Sequence, residues 1–201
     1  MRQVRPTRTD LEQREATARF YECVWPHRSA LLRVAQILTH DLHDAEDLTQ
    51  EALIKAFRAI EQFELGTDAK RWLLCILRNT RIDRLRASAA TAGDVSLDQF
   101  PAGFADDRVH SDELEDREWQ NPQEILNQFS DETVIAALQR LPEEVRWTLL
   151  LVDVEELKQE EAATILDVPL GTVKSRVHRG RALLRQALAA VARERRLVPE
   201  T

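Results

Sequence analysis

Near the C-terminal end of the chain, Thr172, Lys174, Ser175, His178, Arg179 and Arg181 fall on one side of a stretch whose other side is apolar. Hydroxyls, an ammonium, an imidazole and guanidinium groups at helical spacing are donors suited to phosphate oxygens and to the base-edge acceptors of a DNA major groove. Val173, Val177, Leu184, Leu188 and Val191 recur at a period near 3.6, so the same helix has a face that must pack. Just upstream, Ala162, Ala163, Ile165 and Leu166 put small and apolar groups at helical spacing, and Asp167 to Pro169 interrupts them. Pro169 lacks an amide hydrogen and its φ suits a first helical turn, so a second helix is expected at or just after it. A helix, a short break and a basic amphipathic helix form the pattern of a helix-turn-helix, with the second helix as the DNA reader. A helical hairpin with a merely solvated basic face is the simpler alternative.

Two further stretches carry chemistry. Arg71, Arg78, Arg81, Arg84 and Arg86 stud residues 70–86, while Leu73, Leu74, Ile76, Leu77, Ile82 and Leu85 supply a packing stripe. With Trp72 at its head and Asn79 on its face, this segment has the parts needed to hold single-stranded nucleic acid. The Trp72 indole itself reads as core, because one aromatic without neighbours is a poor stacking platform. In the other stretch Asp44 is the expected N-cap, Glu46 and Asp47 the first turn, and Asp47, Gln50, Glu51 and Ile54 share an outward face. Such a face is either solvated or docks a basic partner. His40 and His43, beside Asp41 and Asp44, fall short of the three or four convergent ligands that zinc needs, so no metal is expected. Cys23 and Cys75 have no C-x-x-C spacing and read as small core residues. No nucleophile, base and orienting group form a set and there is no Gly-rich phosphate loop, so neither an enzyme nor a cofactor or small-molecule substrate is expected.

These segments need elements to hold them. The 201 residues allow one large domain or two small ones, and scarce glycine with no alternating β-branched runs indicates an all-α fold. The pattern divides into a flexible N-terminus (1–15), a helical domain (16–88) with a break at Pro26, an acidic linker (89–130), a second helical domain (131–192) and a flexible tail (193–201). In the linker, Gly93, Pro101, Gly103 and Pro122 interrupt and acids from Asp94 to Glu124 outnumber Arg108 and Arg117, leaving at most a short helix near Asp112 to Trp119. It is a tether, or a shield for the basic helices. Pro142-Glu143-Glu144 places a proline at a first helical position with acids behind it. No apolar run approaches the roughly 20 residues needed to span a bilayer, and the N-terminus lacks a signal-peptide core, so a cytoplasmic protein without membrane insertion is expected. The net charge of −7 opposes unaided DNA binding, which depends on counterion release from many cations. If the DNA contact is real, another molecule supplies most of the affinity.

Residues 16–86 and 131–190 together resemble regions two and four of the extracytoplasmic-function sigma factors, the minimal sigma-70 type. Asp44-Ala45-Glu46-Asp47-Leu48-Thr49-Gln50-Glu51 resembles the region 2.2 signature. The resemblance implies that Asp44, Glu46, Asp47, Gln50, Glu51 and Ile54 dock on the β′ clamp helices of core RNA polymerase. Trp72-Leu73 through Arg78-Asn79, with Ile82-Asp83-Arg84-Leu85-Arg86, is similar to the part that melts and reads the minus-ten element. It implies that the loop with Phe63, Gly66, Thr67 and Asp68 receives a flipped-out base, that Asn79 meets the non-template strand, and that Trp72, Arg78, Arg81 and Arg84 join that surface. Leu141-Pro142-Glu143-Glu144 and Gly171 through Arg179 resemble region four, which implies minus-thirty-five recognition through Thr172, Lys174, Ser175, His178, Arg179 and Arg181. The implied partners are core polymerase at its β′ clamp and β flap, promoter DNA, and an anti-sigma factor as a further candidate. The implied activity is promoter recognition and DNA melting, with affinity borrowed from the polymerase. Four positions depart from the family pattern. Val152 stands where an arginine is common, Glu156 and Lys158 where Gly and Ser are common, and Asp167 where Gly is frequent.

Overall fold

In the first helical unit, α1 (Arg8–Arg19) leads through a widened turn at Phe20–Val24 and a tight turn at Trp25–His27 into α2 (Arg28–Leu38). This is a computed structural model of the chain, and it describes residues 8–39, 41–91 and 131–194. The expected helix near Asp112 to Trp119 lies outside the described residues, as does most of the expected linker. The expectation of a loose stretch to residue 15 is corrected, because the helix already runs from Arg8. Glu12, Gln13, Arg14, Glu15 and Ala16 are all good helix formers, and propensity extends the helix where an apolar period is lacking. Pro26 sits in the first turn of the tight segment, where a missing amide hydrogen costs nothing.

Helix α3 (Leu42–Arg58) starts earlier than its sequence signals suggested. Its N-cap is Asp41, whose Oδ1 accepts from the amides of His43 at 2.8 Å and Asp44 at 3.1 Å, and Asp44 lies inside the first turn. The cause is upstream. The Thr39 hydroxyl donates within 3.0 Å to the carbonyls of Ala35 and Asp41, which fixes the turn that leaves Asp41 extended. The buried face of α3 is built from Ala45, Leu48, Thr49, Ala52 and Ala56, small enough for α2 and α4 (Ala69–Thr91) to lie close on either side. Leu31, Val34, Ala35 and Leu38 meet it from α2, and Leu73, Leu74 and Leu77 from α4.

The second unit contains α5 (Asp131–Gln139), α6 (Glu143–Leu149) continued by a widened turn at Leu150–Val154, α7 (Gln159–Leu166) and α8 (Leu170–Glu194). Pro142 takes the N-cap position of α6, one residue before the first helical position expected for it. Among the described residues there is no strand, in agreement with an all-α reading. The apolar stripe of α8 holds, with Val173, Val177, Leu184 and Leu188 buried; the side chain of Val191 lies outside the described set. One member of that stripe has no side chain. A Cβ on Gly180 would sit 2.8 Å from Val145 Cγ1 and 3.1 Å from both Leu149 methyls, so α8 crosses α6 at backbone distance.

Buried side chains of the two units form one continuous apolar cluster. We predict that Gly180→Ala lowers the stability of the chain by about 1 to 3 kcal/mol through overpacking against the stiff Val145. Urea unfolding would measure it, and the double variant Gly180→Ala, Val145→Ala should recover part of the loss.

Candidate nucleic-acid and partner interfaces

The helix-turn-helix is pinned at both ends of α7 by residues in the left-handed region. Glu156 has φ 56° before it and Asp167 has φ 54° after it. These are the two positions at which the resemblance implies glycine, and the backbone takes a conformation suited to glycine with a side chain attached, at a cost of about 1 to 2 kcal/mol per residue, less for Asp. At Asp167 the amide donates to the Ala163 carbonyl, and that of Val168 reaches the same carbonyl at 3.2 Å, which closes the end of α7. At the other end the Lys158 amide donates to Glu161 Oε2 at 2.9 Å. Glu161 therefore supplies half of a capping box even though Lys158 replaces the usual hydroxyl.

Helix α8 then begins at Leu170, directly after Pro169. Lys174, Ser175, His178 and Arg179 are exposed opposite the buried stripe, and Thr172 is half-buried. The Ser175 hydroxyl donates to the Thr172 carbonyl at 3.0 Å in this state. Arg181 is used differently. Its guanidinium grips the buried carboxylate of Asp153, at 2.8 Å from Nη2 and 3.3 Å from Nε, so it ties α8 to the widened turn after α6.

The loop before α4 divides into support and exposed tip. Phe63 is buried, with its ring 5.0 Å from that of Trp72, so Phe63 is a floor beneath the loop and not an exposed contact. Trp72 is half-buried against the core, as its isolation in the sequence suggested. Gly66, with φ 96°, and Thr67 are exposed at the tip, and the Thr67 hydroxyl donates to the Glu64 carbonyl at 2.7 Å. Asp68, also exposed, accepts from the Arg71 amide at 3.2 Å and so caps α4.

Along α4, Asn79 and Arg86 are exposed, whereas Arg78, Arg81 and Arg84 are engaged. Arg84 Nε donates to Glu51 Oε2 at 2.7 Å across to α3, and Lys55 Nζ bridges Glu51 at 3.2 Å and Asp83 at 3.0 Å. Partial burial pushes the Glu51 carboxyl up, but the hydrogen bonds from Arg84 and Lys55 outweigh it and hold the group below its ordinary value. Lys55 is desolvated too, yet its two carboxylate partners leave its pKa raised. Arg78 Nη2 donates to the Leu166 carbonyl at 2.8 Å, and Arg81 Nε reaches Glu143 Oε1 at 3.4 Å, both in the second unit. On α3, Asp44, Glu46, Asp47, Gln50 and Ile54 are exposed while Glu51 is half-buried. Beside them, Trp25, Leu32, Leu53, Ile54 and Phe57 line a largely apolar groove of about 700 Å³.

Residues 24–91 match the family Sigma-70 region 2, and residues 131–184 match Sigma-70, region 4. The ECF RNA polymerase sigma factor SigE of Mycolicibacterium smegmatis is 37% identical over 84% of this chain and 61% of its own length. The ECF RNA polymerase sigma factor SigW of Bacillus subtilis is 30% identical over 84% of this chain and 88% of its own. The chain belongs to the extracytoplasmic-function sigma factors of the sigma-70 family. The sigma factor RpoE of Bartonella quintana, solved in complex with the anti-sigma factor NepR, is similar in structure, with a TM-score of 0.64 and 27% identity over 85% of this sigma factor and 96% of that chain.

Two groups that matter to this sigma factor lie outside the motifs of its sequence. Arg146 is buried on α6, with Nη2 donating to the carbonyls of Gln139 at 2.6 Å and Leu141 at 2.8 Å, and Nη1 to Ile37 at 3.5 Å in the first unit. Burial holds its pKa below the usual arginine value despite the nearby Glu143. An arginine inside the run from Val145 to Leu151, where Thr148 is the one other polar residue, is the available signal. Glu155, more deeply buried, meets Arg33 and Lys70, and nothing local in its sequence marks it.

A pH test follows from Glu51. A carboxyl depressed on folding stabilises the fold above its unfolded pKa, and that contribution is lost as pH falls through the lower folded value. Glu51→Gln should lower the unfolding free energy measured in urea at neutral pH by less than about 1 kcal/mol, because the pair is partly exposed. The deficit should shrink as the solution is brought below the ordinary carboxylate range.

Proposed function

We propose that this sigma factor binds core RNA polymerase through α3, reads the minus-ten element with α4 and its preceding loop, reads the minus-thirty-five element with α8, and promotes melting of the start site. It acts as a cytoplasmic initiation factor and not as a catalyst. The observation that carries the reading is the exposed row of Lys174, Ser175, His178 and Arg179 on a helix whose opposite face is locked to a core. That is the arrangement needed to present donors to a groove at a set height. The exposed Asp44, Glu46, Asp47, Gln50 and Ile54 support α3 as the polymerase contact, with Glu46, Gln50 and Ile54 lining an apolar groove that Arg28 and Arg58 also border. Glu51 contributes there only when it leaves Arg84. Among the described residues no helix is long and apolar enough to cross a membrane.

Within the minus-ten surface we assign Gly66, Thr67, Asp68 and Asn79 to direct contact, Phe63 and Trp72 to holding the loop, and Arg78, Arg81 and Arg84 to phosphates once their present partners are released. Extracting a base from the stack costs a few kcal/mol, and contacts at this loop must offset it. In the minus-thirty-five surface Thr172, Lys174, Ser175, His178 and Arg179 are the contacts, and Arg181 positions the helix. Polymerase contact at the β′ clamp and β flap supplies the affinity that a chain of net charge −7 lacks. An anti-sigma factor is a further partner, supported by the likeness to a sigma factor solved with one and by the open groove beside α3.

Run-off transcription with core polymerase tests the whole reading. Addition of the chain should yield a promoter-specific transcript, and a repressor acting alone would instead bind a palindrome without polymerase. Asp47→Lys with Ile54→Lys should abolish association with core while circular dichroism stays unchanged. Lys174→Ala and Arg179→Ala should each weaken upstream-element recognition by about 1 to 3 kcal/mol per lost base contact. Retained promoter preference in both would remove α8 as the reader.

A further inference from the structure

Two contacts on neighbouring residues hold the reading helix α8 to α6 and to the turn that continues it. Gly180 is a point of close approach, since a Cβ there would lie 2.8 Å from Val145 Cγ1 and 3.1 Å from the Leu149 methyls. The next residue, Arg181, reaches Asp153, which stands four positions beyond Leu149 in the widened turn at Leu150–Val154. Nη2 donates to Asp153 Oδ1 at 2.8 Å and Nε to Oδ2 at 3.3 Å, so each carboxylate oxygen meets its own guanidinium nitrogen. The Asp153 side chain is 7% exposed and that of Arg181 29%. Paired planar groups of this kind fix orientation as well as distance.

The two contacts constrain different motions. The crossing at Gly180 sets how near α8 comes, and the buried stripe of Val173, Val177, Leu184 and Leu188 keeps it there. Apolar contact is not directional, so it resists separation more than it resists rolling of the helix about its own axis. With an overall helix diameter of about 10 to 12 Å, a roll of roughly 10° moves a side chain at the rim by about 1 Å. A hydrogen bond to a base edge has a usable range of only about half an ångström. Lys174, Ser175, His178 and Arg179 stand exposed within two turns before the crossing, so what they can read depends on the roll angle. A directional contact off the helix axis sets that angle. Attraction to phosphates falls off gradually with distance, so a small roll costs base reading far more than it costs backbone binding.

We propose that Asp153 determines promoter specificity without touching DNA, as a positioning residue that sets the roll of α8 through Arg181. The inference rests on the assignment of α8 to the minus-thirty-five element. It gives the widened turn, which lies outside the helix-turn-helix itself, a part in recognition. It also separates Arg181 from its neighbours in the polar row. A guanidinium that serves as a strut loses its function with the carboxylate, whereas one that serves phosphates would gain from losing it. The two roles predict opposite signs for the same substitution.

The test uses holoenzyme, formed from the full chain and core polymerase, on duplexes whose upstream element is selected from random sequence by the wild type. Affinity is measured for the selected element, for versions with one base pair changed and for a scrambled element, each across a range of salt. Asp153→Asn keeps the shape of the side chain and removes its charge. Arg181→Lys keeps a cation but offers one nitrogen where the guanidinium offers two. Asp153→Asn should bind the scrambled element as the wild type does, with an unchanged salt slope, and lose on the order of tenfold in preference for the selected element. Arg181→Lys should show the same loss of preference, and circular dichroism should show wild-type helix content in both. A higher affinity of Asp153→Asn, with a salt slope steeper by about 0.9 for one further phosphate contact, would overturn the strut in favour of a masked DNA contact. Equal weakening on every duplex, or full preference retained by a folded variant, would overturn it as well. If Asp153→Asn lacks wild-type helix content, Arg181→Lys alone decides. Lys174→Ala and Arg179→Ala are measured in parallel. Preference lost in those two but kept in Asp153→Asn rejects the strut alone, whereas preference kept in all of them rejects α8 as the reader.

Discussion

Charge that is buried has to bring its own partners, and this constraint governs how the two helical units meet. Arg146 and Glu155 lie within the second unit's side of the seam, one cationic and one anionic, and each draws partners from the first unit while keeping one buried polar atom, Arg146 Nε and Glu155 Oε2, without a hydrogen bond. The Ile37 carbonyl, Arg33 and Lys70 thus become part of the second unit's internal accounts. Apolar contacts alone would let the units slide over one another, since burial of hydrocarbon is not directional. Fixed donors and acceptors select one alignment.

The overall negative charge and the basic helices are also reconciled at this level. Most of the α4 arginines face acids or carbonyls of the chain itself, so the net charge of −7 does not describe a uniformly acidic surface. The exposed row on α8 presents positive charge outward, on a helix whose back is locked to α6 by the close crossing at Gly180.

How far these features were legible depended on whether they are local. The apolar stripe of α8, the start after Pro169 and the small-residue face of α7 are periodic, and they appear in the structure where the period puts them. The family resemblance at Asp44 to Glu51 and at Gly171 to Arg179 was equally local. The errors arose where a choice was settled by something remote or by a competing signal. Asp41 and Asp44 are both good caps, and the turn at Thr39 decided between them. Phe63 was grouped with its loop although its ring packs on Trp72, because sequence neighbours need not share exposure. Arg181 continued a polar row but met Asp153 across 28 positions. Glu155 and its cations, separated by up to 122 positions, had no signature at all.

The two left-handed turns flanking α7 have a consequence for how the motif can vary. Each is a one-residue hinge held in a narrow well, and each is occupied by an acid instead of the residue that tolerates that well most easily. Lengthening or shortening α7 by a single position would rotate the following helix by about 100° and carry Lys174 and His178 off the outward side. The motif therefore behaves as a cassette without slack. Its surface residues are free to diversify for new promoters, while its length is not.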